Sequence, residues 1–225
     1  MKKFFIPALF IVMCTILACE PNKVDTNTGR LRVINASYLS GGVNIFADYE
    51  QVYNTAIQYL NYSLYRDYIT GKHLIDIRDV NNNILDTVTL QIDFEKSYSL
   101  IVYDSANTIQ HKIIDDNYIT PNGSMAKVRF LHLSNNMPSI HVLSSGSLAP
   151  LASNLNNGDY TSFQDILAGF QNFSIQDAST SQIVYTQPSI ELHAGKFYTM
   201  YLKGNLGSLS DDSLGVFVIE NNADY

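Results

Sequence analysis

The chain has 225 residues, 14 Lys+Arg against 21 Asp+Glu, and a formal net charge of −7. That balance leaves no cationic footprint for a nucleic-acid backbone, so nucleic acid is excluded as a partner class. A composition that is 46% hydrophobic and 16% charged belongs to a folded chain with a sizeable core rather than a disordered one.

Met1-Lys2-Lys3 is a short basic start, and an apolar run follows from Phe4 to Ala18, interrupted by Pro7. The run is short for a membrane span and suits a secretory signal. It ends Ile16-Leu17-Ala18-Cys19, which resembles the bacterial lipobox, in which the cysteine thiol receives a diacylglycerol group before the signal is cut away. Residues 1–18 are therefore expected to be a lipoprotein signal peptide, with Cys19 the lipidated first residue of the mature chain. Cysteine usage favours this over an ordinary signal peptide. Cys14 would be discarded and Cys19 acylated, so the mature body keeps no thiol for a disulfide framework or a Cys-ligated metal site. Glu20 to Gly29 is polar and aperiodic, so residues 19–29 read as a flexible tether. The mature body is more acidic than the whole chain, and anchoring is left to the acyl groups.

The remainder is written twice. Leu31-Arg32-Val33-Ile34-Asn35-Ala36-Ser37 aligns with Val128-Arg129-Phe130-Leu131-His132-Leu133-Ser134. In the same order Tyr62 falls on Tyr160, Tyr65 on Phe163, Gly71 on Gly169, Asp79 on Asp177, and Lys96 and Tyr98 on Lys196 and Tyr198. The offset grows only in turn-like segments, where insertions are tolerated. Asp115-Asp116-Asn117 then corresponds to Glu220-Asn221-Asn222. Pro121-Asn122-Gly123-Ser124 suits a short linker, which puts one repeat at 30–122 and the other at 123–225.

Each copy reads as β structure. Ile75 and Ile77 alternate with Asp76 and Arg78, and Phe173 and Ile175 alternate with Ser174 and Gln176, the period of a half-buried strand. Asn81-Asn82-Asn83 predicts a hairpin turn. Strands follow at Thr87 to Ile92 and Ser97 to Tyr103, and again at Ser189 to Leu192 and Phe197 to Lys203. No segment has a long, capped helical period. The predicted architecture is all-β: two tandem antiparallel β-sandwiches, immunoglobulin-like or prealbumin-like.

Lipobox, tandem copies and the Val/Leu-Arg-apolar-apolar-His/Asn-x-Ser openings together resemble the bacterial domain of unknown function 4397, common as tandem copies in envelope lipoproteins of Bacteroidota. His132 and Ser134 match the family's strand-end motif in the second copy, as do Ala36 and Ser37 in the first. Asp48 resembles its turn Asp, and Gly71 and Gly169 its turn before the middle strand. Neither copy keeps the family's Pro-Asp, and Asn35 stands for the first His. The resemblance implies fold and location, not chemistry.

Catalytic and metal signatures are sparse. His73, His111, His132, His141 and His193 form no zinc-ligand spacing, although His132 and His141 would approach each other if their strands paired. No nucleophile elbow, phosphate loop or dinucleotide fingerprint occurs. Asp115-Asp116 and Asp211-Asp212 read as solvated acidic turns. No cofactor is expected, and no enzymatic activity. Tyrosines crowd residues 49–68, where Tyr53, Tyr59 and Tyr68 lack aromatic counterparts in the second copy. With Asn54, Gln58 and Asn61 they form a candidate ligand site, because phenol rings stack on sugar faces and amides bond hydroxyls. Tyr62 and Tyr65, which have counterparts, are assigned to the shared fold. The expected function is a non-catalytic, lipid-anchored envelope protein at the outer membrane, surface or periplasmic face. It binds an unidentified ligand, a glycan or an envelope protein. A glycan-capture accessory of polysaccharide uptake and an envelope hydrolase are the alternatives.

Overall fold

The computed structural model describes residues 27–116, 118–145 and 147–221; the apolar leader, Cys19 and the tether as far as Thr26 lie outside them. Among the described residues every regular element is a strand. The first copy supplies β1 (Thr28–Asn35), β2 (Gly42–Ala47), β3 (Glu50–Gln51), β4 (Ile57–Gln58), β5 (Asn61–Tyr62), β6 (Arg66–Ile69), β7 (Gly71–Arg78), β8 (Ile84–Ile92), β9 (Ser97–Ser105) and β10 (Thr108–Asp115). The second supplies β11 (Met125–His132), β12 (Ile140–Ser144), β13 (Ala152–Leu155), β14 (Gln164–Leu167), β15 (Gly169–Asp177), β16 (Ile183–Leu192), β17 (Phe197–Lys203) and β18 (Gly215–Asn221).

Each copy folds into two facing sheets, as the alternation in its strands predicts. One sheet of the first copy runs β3-β2-β7-β8, with β4 also on β2, and the other runs β10-β9-β1-β5, with β6 also on β1. The second copy repeats this as β13-β12-β15-β16 and β14-β11-β17-β18. Val33, Ile45, Ile75 and Leu100 belong to the core of the first sandwich, and Phe130, Val142, Phe173 and Met200 to that of the second.

Aligned turn residues do the same work in both copies. Asp79 Oδ1 accepts the N–H groups of Asn81 and Asn83, both at 2.8 Å, and Asn82 takes a φ of 67°. Asp177 Oδ1 likewise accepts from the N–H groups of Ser179 at 2.8 Å and Thr180 at 3.1 Å. Both carboxyls are held below the usual range, by the Asn83 side chain and the Ser179 hydroxyl first and then by these backbone donors. Gly71 and Gly169 open the middle strands at φ values of 143° and 108°, which side chains with a Cβ rarely adopt.

One pairing departs from the expected antiparallel pattern. β1 runs parallel to β9, with Arg30 opposite Ser97, and β11 runs parallel to β17, with Lys127 opposite Phe197. Parallel strands are usually covered on both faces, and these are: Ser97 to Asp104 are all buried. What covers the second face is the other copy. Ile34, Ala36, Ile101, Tyr103 and Ile114 pack against Leu131, Leu133, Tyr201 and Ile219, so β1, β9 and β10 meet β11, β17 and β18. The molecule is four sheets deep, with the two inner sheets back to back.

Toward the start of β1 and β11 this seam turns polar. Arg32 Nε donates to Ser99 Oγ at 2.7 Å, and its Nη2 reaches across to Asn221 Oδ1 at 2.8 Å. Arg129 Nε donates to Thr199 Oγ1 at 2.8 Å, and its guanidinium forms an ion pair across the seam with Asp116. Asp116 also accepts from Ser99 Oγ and Tyr65 Oη, each at 2.6 Å. Tyr65 lies under Arg32, with the guanidinium carbon 5.0 Å from the ring centroid, and Phe163 lies under Arg129 at 4.7 Å. Each copy thus lends its arginine to the strand end of the other. Asp116 is 3% exposed, which corrects the reading of this residue as a solvated turn: it is the one carboxylate buried between two buried arginines. At the opposite end Asn135 exchanges hydrogen bonds of 2.9 and 2.8 Å with Asn107. Gly158, at a φ of 82°, lets the Tyr103 hydroxyl come within 2.5 Å of where a Cβ would stand.

Asp116→Asn leaves two buried guanidinium groups without a counter-charge and is expected to lower stability by about 3–5 kcal/mol. Asn221→Asp supplies the missing second carboxylate to Arg32 and is expected to unfold at a higher urea concentration than the parent. Urea unfolding of the mature chain checks both; a neutral Asp116→Asn would mean that water screens the seam.

Candidate functional site

The strand that edges the inner sheet of the first copy is broken. β5 pairs with the end of β1, Tyr62 opposite Ile34, and β6 pairs with its start, Arg66 opposite Leu31. Between them Ser63 turns inward: its N–H donates to Val33 O at 2.9 Å, and its Oγ accepts the Val33 N–H at 2.9 Å. The bend throws Tyr62, Leu64 and Arg66 outward. With β4 on the facing sheet they border an open cleft of about 600 Å³, whose walls also include Tyr53, Gln58 and Asn61.

Sequence reasoning placed six side chains near a site, and the fold separates them. Tyr53, Gln58 and Asn61 line the cleft, whereas Asn54, Tyr59 and Tyr68 do not. Tyr53 is half-buried against the core; its hydroxyl meets Ser63 Oγ at 2.8 Å, and the Arg66 guanidinium carbon sits 5.6 Å from its ring centroid. Tyr59 turns toward the seam, edge-on to Tyr38 with ring centroids 5.5 Å apart. Burial first, then the charges of Asp104 and Asp212, push its phenol well up. Tyr68 packs on the core and meets His73 edge-on, with ring centroids 5.5 Å apart, beside a separate cavity of about 450 Å³. Asn54 is exposed.

Tyr62, Leu64 and Arg66 were missed. Tyr62 is 45% and Leu64 79% exposed, and the signal available was their period of two along an edge strand. Its alignment with Tyr160 assigns Tyr62 to the shared fold. Both rings are exposed, and it is Tyr65 and Phe163 that serve the fold.

Among the described residues the cleft walls hold no carboxylate and no imidazole. Burial raises the Tyr53 and Tyr65 phenols above the ordinary tyrosine value, which makes these two poor proton donors near neutral pH. Such a lining offers aromatic faces, amides, hydroxyls and one guanidinium: groups for binding rather than for proton transfer.

The histidines do not assemble elsewhere. His132 is on β11 in an inner sheet and His141 on β12 in an outer one, so their strands do not pair. His132 is fully buried with Nε2 2.9 Å from Pro138 O, while His141 Nδ1 accepts the Asn154 N–H at 3.2 Å. His73 Nδ1 lies 2.6 Å from Asp48, and His111 Nδ1 lies 2.5 Å from Asp86, tying β10 to β8 across the sandwich. Among the described residues no three His, Cys, Asp or Glu side chains are grouped to hold a metal ion.

A protein-family comparison matches residues 29–143 to "Domain of unknown function (DUF4397)". No curated protein matches the chain. Among solved structures, one of alpha-glucan binding by a streptococcal virulence factor is 13% identical, covers 81% of this chain and 95% of its own, and gives a TM-score of 0.26. A candidate adhesin from Bacteroides ovatus is 7% identical, covers 88% and 96%, and also gives 0.26. At TM-scores of this size neither structure informs the function of this chain.

Burial holds the His132 imidazole below its ordinary pKa of 6.5. Above pH 6.5 it is neutral folded and unfolded alike; below, the unfolded chain takes up a proton that the folded one refuses. Stability is therefore expected to fall as pH drops from 6.5 toward the folded value, with His132 contributing at most about 1.4 kcal/mol per pH unit. His132→Asn, which copies Asn35 of the first copy, is expected to flatten that slope in urea unfolding at pH 5 to 7. Equal slopes in the two proteins would show that His132 is not the group responsible.

Proposed function

Because the chain belongs to the DUF4397 family, whose description assigns no activity, we propose its function from its own surface: it is a non-catalytic binding protein of the cell envelope, anchored through lipid on Cys19, whose ligand occupies the cleft along residues 53–66. The observation that carries this reading is the lining of that cleft. Exposed Tyr62 offers a ring face, Gln58 and Asn61 offer amides, Leu64 offers an apolar edge, and among the described residues the lining holds no carboxylate or imidazole. That set suits a neutral glycan chain. Sugar rings stack on phenols through their C–H faces while their hydroxyls exchange hydrogen bonds with amides. The cleft is open along its length, so it accepts an internal stretch of a polymer as readily as an end.

An acidic chain argues against nucleic acid and against an anionic polymer as the ligand, since Asp and Glu outnumber Lys and Arg by 21 to 14. Arg66, the one guanidinium in the lining besides the tyrosines and amides, already donates to Val52 O, which leaves it less free to pair with a ligand charge. A peptide of the envelope is the second reading, and it rests on the same exposed edge strand: a segment laid beside β5 and β6 would use backbone hydrogen bonds in place of stacking.

Titration calorimetry against neutral polysaccharides tests the site. Tyr62→Ala is expected to weaken binding about tenfold, ~1.4 kcal/mol, and Tyr160→Ala in the second copy to leave it unchanged. Equal losses in the two variants, or none in either, would remove the cleft as the site. The anchor has its own test: the mature chain should carry the mass of the acyl groups on Cys19, and Cys19→Ala should leave the membrane fraction.

A further inference from the structure

We propose that one end of the paired sandwiches rests on the lipid surface, with Ile69, Phe94, Ile119, Leu167 and Phe170 against an ethanolamine-rich headgroup layer. The inference rests on the lipid-anchored reading of Cys19 and adds an orientation to it.

Register places these side chains at one end. Ile69 lies opposite Thr28 at the start of β1, and Glu95 N, next to Phe94, donates to Thr28 O at 2.9 Å. Leu167 lies opposite Met125 at the start of β11, and Phe170, the second residue of β15, lies opposite Glu191. Ile119 lies in the connection that leaves the end of β10 and enters β11 at that same level. The two copies stand side by side in the same sense, because Asp116 meets Arg129 at this end and Asn107 meets Asn135 at the other. Exposure of these five runs from 52% to 71%. Ile69 and Leu167 are equivalent positions in the two copies.

Chain entry says what covers this end. Asn27, the first described residue, is followed by β1, which starts here. Eight residues on from Cys19, it can stand no more than about 26–29 Å from the acylated cysteine even with the chain fully extended. That is about the length of an eight-residue strand such as β1 at ~3.3 Å per residue. The entry end therefore stays within one body length of the bilayer, a limit the tether sets for this end and not for the opposite one.

Exposed apolar side chains, Leu39 and Leu209 among them, also occur at the far end. There they sit among the turn carboxylates Asp79, Asp159, Asp177, Asp211 and Asp212, with Arg78 and Lys203 beside them, so it is the chain's entry, not charge, that distinguishes the two ends. At the entry end Lys96, Lys127 and Lys196 meet Asp115, Asp165 and Glu220 at 3.6, 3.1 and 3.7 Å. Asp67, opposite Arg30 on β1, and Asp93, Glu95 and Glu191 remain at this end, so contact rests on the apolar side chains, and these carboxylates face headgroup amines.

The test uses the full lipidated chain in vesicles of phosphatidylethanolamine and phosphatidylglycerol. With Cys19 acylated, a single added cysteine carries an environment-sensitive fluorophore: Phe94→Cys or Phe170→Cys at the entry end, Leu209→Cys at the far end. The expected result is a blue shift and loss of most of the emission to lipid-borne quencher at Phe94 and Phe170, with neither at Leu209. Flotation with the vesicles but quenching no greater at Phe170 than at Leu209 would overturn the orientation and leave the anchor standing. Failure to float would overturn the anchor, and the orientation with it. Circular dichroism of each labelled variant confirms that it is folded.

Discussion

Among the described residues two guanidinium groups, Arg32 and Arg129, are buried against one shared carboxylate, Asp116, where the inner sheets meet, and the architecture is arranged around keeping them satisfied. A buried charge without a partner is among the most unfavourable features a fold can carry. Arg32 and Arg129 each bond a hydroxyl on the neighbouring strand of their own copy, Ser99 and Thr199, and then reach across to the strand end of the other, Asn221 and Asp116. Neither arginine is satisfied by its own sandwich alone. The apolar contacts farther along the seam, Ile34 and Ile101 against Leu131 and Tyr201, are non-directional. The crossed arginine pairs set the register in which those contacts are made.

That arrangement explains why two copies of one pattern are not interchangeable. Where the first has Asp116, the second has Asn221, so the seam holds one carboxylate rather than two. Where the first has Tyr65, whose hydroxyl bonds Asp116 at 2.6 Å, the second has Phe163, which keeps the ring under the arginine and drops the hydroxyl. Asn35 is replaced by His132, which fills the same strand end with a larger ring and donates its Nε2–H to Pro138 O at 2.9 Å. Each exchange preserves the packing role and changes the polar one.

A rigid pair has consequences for binding. The cleft beside β5 and β6 is fixed relative to the seam, because Tyr65, one residue beyond Leu64, is held by Asp116 and by the Tyr118 hydroxyl at 2.6 Å. Tyr62 and Leu64 are therefore presented from a preorganised edge, which lowers the entropy lost when a ligand docks.

The β class, the repeat and the turn chemistry were legible in the residues themselves, because period-two alternation, glycine at positive φ and Asp-capped turns are local. Ile75-Asp76-Ile77, Asp79 with Asn81 to Asn83, and Gly71 with Gly169 needed no distant partner to be read. Three of six ligand-site candidates, Tyr53, Gln58 and Asn61, fell in the cleft for the same reason: they lie on the segment that changes sheets. The rest depended on contacts between residues far apart in the chain. Alternation shows that a face is buried but not against what, so the continuous apolar run of Leu100 to Tyr103 signalled two covered faces without naming the second copy as the cover. Asp116 read as a solvated turn because its partners, Arg32 and Arg129, come from strand starts 84 residues before it and 13 after it. Only the packing of the two inner sheets brings them within bonding distance, and only there does a carboxylate in a polar stretch become the centre of the seam.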